Sequence, residues 1–179
     1  MKIDIILPFK ENFSYKNASA VSISIKNSLT FSAFKKNINI YGKTIEEPFY
    51  PENFIGIKTN KFLHLGNNRS LIFNYLKYYY LNKEVRLIEI HNRPNIFNII
   101  SNKAKSSPKV LYFHNDPTKM KGSNTVRQRV QILKKAAGVV FVSEFLKKKF
   151  LEGIQPNEKK LYVIPNSLNL KEEKTKKKQ

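Results

Sequence analysis

The chain has no cysteine, no tryptophan and only six glycines in 179 residues. Without cysteine there is no disulfide framework, no thiolate nucleophile and no cysteine-ligated zinc, a composition suited to a reducing compartment. Glycine is also missing from the stretch "KENFSYKNASAV" after the first apolar run. That loop therefore carries neither a P-loop nor a dinucleotide-binding fingerprint. No run approaches the ~20 apolar residues of a membrane span, and the opening "MKIDIILPFKENF" puts Asp4 inside its short apolar stretch. Neither a secretory signal nor a spanning segment is expected. The glycosylation-like triplets at Asn12, Asn17 and Asn68 consequently carry no weight.

Acidic residues are scarce, 13 against 33 basic ones, for a formal net charge of +20. Such an excess points to an anionic partner: nucleic acid, a lipid surface or a phosphorylated substrate. A plainer source competes with it. The chain is rich in Asn, Ile, Phe and Tyr as well as Lys, all with AT-rich codons, so lysine can be a default surface residue. The basic set is 28 Lys and only five Arg, whereas base readout and phosphate forks favour arginine. No nucleic-acid partner is expected on this ground. A lipid surface and a phosphorylated substrate stay open as the anionic partner.

What is present is an alternation of short β-rich runs with helical stretches, the pattern of an α/β fold with a mostly parallel sheet flanked by helices. Strands are expected at Lys2 to Phe9, Asn37 to Tyr41, Val85 to Ile90, Lys109 to Phe113, Gly138 to Val142 and Leu161 to Ile164. Helices are expected at Val21 to Phe34, Leu71 to Leu81, Asn95 to Ala104, Thr125 to Ala136 and from a Ser143 cap to Leu151, closed by Gly153. Pro94 fits a first helical turn, where its missing N–H costs nothing. Gly42 to Arg69 is not resolved by pattern, beyond a possible short strand at Phe62 to Leu65. The folded domain is placed at residues 1–168, with 169–179, "NLKEEKTKKKQ", as a charged tail or the start of a linker.

Two apolar runs end alike, in "IEIHNRP" and "VLYFHNDP". In open parallel sheets ligands bind beyond the carboxyl ends of the strands, so His91 and His114 are expected to share one crevice. Ordinary loop hydrogen bonding is the competing account. A metal site would need His91, His114 and Asp116, yet their spacing matches no local zinc pattern, and His64 lies in the unresolved stretch. The loop "HNDPTKMKGSNTVRQR" runs into a helix start with a Thr125/Gln128 capping box, where free N–H groups favour anions. Lys121, Gly122, Ser123 and Arg129 are the candidates there for a phosphate or sugar cradle; a capped surface turn is the alternative. In "EFLKKKFLE", Glu144 and Glu152 mimic the paired glutamates of sugar-nucleotide enzymes. They flank a helix whose buried stripe is read as Phe145, Leu146 and Phe150, and are taken as end charges.

"AAGVVFVSEFLKKKFLEGI" and "KKLYVIPNSLNL", preceded by the two His-Asn runs, resemble the N-terminal, acceptor-side half of retaining GT-B glycosyltransferases of the family 4 type. The likeness covers roughly Val85 to Leu168; the first eighty residues match in layout. The resemblance implies one Rossmann-like half of a GT-B architecture, with Pro165 and Asn166 leading into an interdomain linker. It implies that His114 is the catalytic residue near the transferred sugar. His91, Asn92 and Arg93, with Asn115 and Asp116, would line the acceptor side. Lys121, Gly122, Ser123 and Arg129 would meet the acceptor or its phosphates; the family's glycine pair after the first strand is replaced here by "NASA", where Ser19 and its small neighbours would let a substrate approach the backbone. The implied acceptor is a glycan or lipid-linked sugar, and the sugar nucleotide would be bound by a second domain; no metal and no cofactor are called for in this half. A basic α/β nucleic-acid module and an inactive partner subunit are the alternatives.

Overall fold

A computed structural model describes residues 1–58, 67–82, 84–155 and 160–166. The elements run β1 (Lys2–Ile6), α1 (Ala20–Phe31), β2 (Ile38–Lys43), β3 (Phe54–Ile57), α2 (Asn67–Asn82), β4 (Arg86–His91), α3 (Pro94–Lys103), β5 (Lys109–Phe113), α4 (Val126–Lys135), β6 (Gly138–Phe141), α5 (Glu144–Leu151) and β7 (Leu161–Val163). All seven strands are parallel, in the order β3-β2-β1-β4-β5-β6-β7. The chain is an α/β protein with a Rossmann-like sheet. β1 lies at its topological switch, because the order runs one way from β1 through β2 and the other way through β4.

Period-two alternation divides the sheet into two faces. Ile6, Tyr41, Ile88, Ile90, Leu111, Phe113, Val139 and Phe141 pack with apolar residues of α2, α3, α4 and α5. Ile5, Leu7, Ile38 and Ile40 pack with Val21, Ile25 and Leu29 of α1. Among the described residues α1 is thus the only helix on its side. Toward β7 that side is open: Val110 and Tyr112 are half-buried, and Tyr162 and Ile164 are each 51% exposed.

Several local devices are those expected. Pro94 opens α3, Ser143 caps α5 through the Leu146 N–H, and Gly153 follows the end of α5 at φ +75°. Other points are corrected. α1 stops at Phe31, because Ser32 turns extended and its N–H caps Leu29. The third strand is Phe54–Ile57, while the Phe62 to Leu65 expectation and residues 169–179 lie outside the described residues. Phe145 is 61% exposed, so the buried side of α5 is only Leu146 and Phe150; an eight-residue helix on a sheet edge covers a narrower stripe than its sequence offers.

The sheet also contains a charge pair that apolar patterning does not reveal. Asp4 is fully buried, and its carboxylate accepts from Arg86 Nη1 at 3.2 Å, from the Tyr75 hydroxyl at 3.0 Å and from Asn39 Nδ2 at 3.3 Å. Removing ions from water costs several kcal/mol each, which only such multiple bonding offsets. Burial first and the Asp4 carboxylate second hold the Tyr75 hydroxyl far above its ordinary range, so it stays a donor.

Candidate functional site

The two histidines expected to share a crevice touch. His91 ends β4 and His114 follows β5, and their ring nitrogens, His91 Nδ1 and His114 Nε2, are 2.9 Å apart. On its other side His91 Nε2 meets Glu89 Oε1 at 2.6 Å. Glu89 and His91 are two residues apart on one strand, so the pleat puts both on the α1 side of the sheet. Tyr112, their neighbour on β5, stacks on the His91 ring at 4.6 Å between centroids and 18° between planes. Glu89, His91 and Tyr112, with Ile3, Ser24 and Ser28, line a groove of about 200 Å³ between α1 and the sheet.

His91 is only 2% exposed, so beyond its place in the wall of that groove it offers almost no surface at the carboxyl edge. His114 is half-buried, yet its Nδ1 is sealed from solvent and has no partner. Burial, and next the neighbouring His91, lower the His114 pKa to about 3. The ring is therefore neutral across the physiological range.

Asn92 holds the two strand ends together. It is buried, adopts φ +52°, donates its N–H to the Tyr112 carbonyl at 2.8 Å and accepts the His114 N–H on Oδ1 at 2.9 Å. Asparagine tolerates this left-handed backbone better than most residues and brings the acceptor that His114 needs. Arg93 Nη1 donates back to the Asn92 carbonyl at 2.8 Å. Asn92, Arg93 and Lys121 do come together, with Asn68, Asn95 and Met120, around a pocket of about 270 Å³ at the carboxyl edge.

The rest of the expected cradle is divided differently. Gly122 sits at φ +98°, and a Cβ there would lie 2.6 Å from the Asn95 nitrogen, so the turn rests directly on the start of α3. The capping box of Thr125 and Gln128 is formed at the head of α4. Ser123 and Arg129, however, point into the framework. Ser123 is fully buried and its hydroxyl donates to the Pro117 carbonyl at 2.6 Å. Arg129 is 3% exposed, donating to the carbonyls of Phe150, Ser123 and Glu152 at 2.7, 3.2 and 2.5 Å. These bonds tie the α4 head to the end of α5, a role that residue type alone could not distinguish from ligand binding. They also give Glu152 a specific part through its carbonyl, while its carboxylate pairs with Lys149 at 2.7 Å.

Asn115 is exposed, and Asp116 caps the turn Pro117–Lys119 by accepting from the Thr118 N–H. That hydrogen-bonding by Thr118, side chain first, lowers the Asp116 pKa. Ser19 caps α1, and its hydroxyl bonds the Glu11 carboxylate. A negative side chain thus already sits at the α1 N-terminus, where the dipole favours it. No group of three or more His, Cys, Asp or Glu among the described residues is gathered to hold a metal.

No family model matches the chain, and no curated protein matches it either. Glu89 is the site residue that sequence reading passed over. Its signal was the Glu-x-His spacing, which in a strand places both side chains on one face.

Proposed function

We propose that this domain is the acceptor-binding half of a glycosyltransferase that moves a sugar from a sugar nucleotide to a glycan or lipid-linked acceptor. The donor would be held by a second domain across the carboxyl edge of the sheet. The observation that carries the reading is the meeting of His91 and His114 at the carboxyl ends of adjacent strands, beside the β1/β4 switch where such sheets bind ligands. The pocket of Asn92, Arg93 and Lys121 opens on the same edge and offers cationic and amide groups to a polyol or its phosphate.

In this reading His114 works by position. Its Nε2 is engaged by His91 and its Nδ1 is sealed, so in this arrangement it has no free nitrogen for proton abstraction. Chemistry of this retaining type, in which the leaving diphosphate assists acceptor attack, asks for a neutral, fixed group at this point. The domain would work at the cytoplasmic face of the membrane, its lysines drawn to anionic headgroups at roughly 1 kcal/mol each near the surface. No described helix is long and apolar enough to cross a membrane.

The test is binding of the purified chain to immobilised oligosaccharides and lipid-linked glycans, against duplex DNA and anionic vesicles at matched salt. Selective glycan retention that falls in Arg93→Ala and Lys121→Ala supports the proposal. Preference for DNA would replace it with the nucleic-acid reading. Sugar transfer by the chain alone would refute its assignment as half of an enzyme.

A further inference from the structure

We propose that Glu89 is a positioning residue that sets the hydrogen-bond polarity of both histidines. The chain of contacts is continuous: Glu89 Oε1 to His91 Nε2 at 2.6 Å, then His91 Nδ1 to His114 Nε2 at 2.9 Å. An ionised carboxylate can only accept, so the proton of the first contact belongs to His91 Nε2. The second contact needs one proton between two nitrogens. If His91 supplied it, His91 would be a buried cation and His114 would carry its own proton on Nδ1, a sealed N–H with no acceptor. Orphaned buried N–H groups are rarer than under-used acceptors. The proton therefore lies on His114 Nε2, both rings are neutral, and His114 Nδ1 is a bare lone pair. Tyr112, stacked on His91, keeps that ring in the plane that both bonds require.

This ordering gives a place to the one acidic side chain in the groove wall, 17% exposed, on a chain of net charge +20. From there it fixes, through His91, the His114 ring at the end of β5. Its consequence for sugar transfer rests on the glycosyltransferase reading, whereas the proton positions do not. Second-sphere carboxylates that fix the tautomer of a working histidine are a general device.

The experiment is long-range 1H–15N correlation of the full chain labelled with 15N-histidine, which holds only three histidines. At neutral pH His91 and His114 should each show a protonated Nε2 and a bare Nδ1, with the His91 Nε2 proton far downfield. A His114 protonated on Nδ1 would overturn the proposal. In Glu89→Leu, His114 should lose its single tautomer; an unchanged pattern in the folded variant would also overturn it. Should Glu89→Leu not fold, the near-isosteric Glu89→Gln decides. There the His91 Nε2 proton should move upfield, because a neutral amide oxygen is a weaker acceptor than a carboxylate; an unmoved resonance would refute the assignment. None of these arms uses a sugar, so failure of the functional reading and failure of this one are separable.

Discussion

Replacing Asn92 separates two costs that coincide at one residue. The side chain accepts the His114 N–H at 2.9 Å, and the backbone stands at φ +52°. Asn92→Gly removes the acceptor but suits the left-handed backbone. The loss is that of an unsatisfied, part-buried N–H, at most about 1–3 kcal/mol, plus the extra chain entropy of glycine, about 0.5–1 kcal/mol. Asn92→Ala removes the same acceptor and keeps a Cβ at positive φ, a strain of about 1–2 kcal/mol that glycine does not carry and that the asparagine side chain offsets by its local hydrogen bond. Both variants keep the bond from the residue 92 N–H to the Tyr112 carbonyl, which is main chain. The alanine variant should thus be the less stable of the two, with both well below the parent. Urea unfolding reads this as lowered midpoints at constant slope. Alanine within 0.5 kcal/mol of the parent would show that the bond to His114 does not matter. Alanine no worse than glycine would show that the backbone conformation carries no strain.

Further outcomes are expected elsewhere. Arg86→Met should cost about 3–5 kcal/mol in urea unfolding, because it strands the buried Asp4 carboxylate, and the double change Asp4→Leu/Arg86→Met should recover much of that. Arg129→Met should lower the thermal midpoint sharply whatever ligand is present, since its bonds go to three carbonyls; weakened glycan binding with unchanged stability would return it to the binding surface. His114, lowered to about 3, stays neutral when folded while an unfolded copy takes up a proton below the ordinary 6.5, so acidification through that interval removes stability. Unfolding midpoints from pH 6.5 to 4 should therefore fall less steeply in His114→Phe than in the parent. Gly122→Ala should displace its turn, seen as lost amide protection at Ser123, whose N–H closes the turn on the Met120 carbonyl, because the added methyl meets backbone rather than a movable side chain.

The strands of the second half were readable because their apolar runs are buried on both faces or stop at Pro and Gly, and because Pro94, Thr125 and Ser143 mark helix starts chemically. β3 was not. It is four residues long, half-buried at the sheet edge and interrupted by Gly56, so neither alternation nor an apolar run betrays it. At the site, residue type and strand position brought His91 and His114 to one place, but not the fact that His91 is almost wholly buried. Ser123 and Arg129 look like ligand groups in sequence; whether such a residue faces solvent or a carbonyl depends on how α5 packs, which is a long-range matter. Asp4, read only as an interruption of an apolar stretch, found its partner in Arg86, more than eighty residues away.

That distance bears on how the chain assembles. β1 precedes the other strands in the chain and ends inside the sheet between β2 and β4, with Lys2 beside Arg86, whereas β4 pairs with β5 after one short helix, Ile88 beside Lys109. The first span is roughly four times the second, two doublings, which adds about 1.2 kcal/mol of loop-closure entropy. β1 can pair early with β2, Ile3 beside Ile38, and the β4-to-β7 units can form from neighbours alone, so the natural late step is the joining of β1 to β4. On a ribosome this means that Asp4 leaves the exit tunnel long before Arg86 exists. Until then it is an ordinary hydrated carboxylate in a short apolar stretch, and its charge keeps that stretch from sticking to others like it.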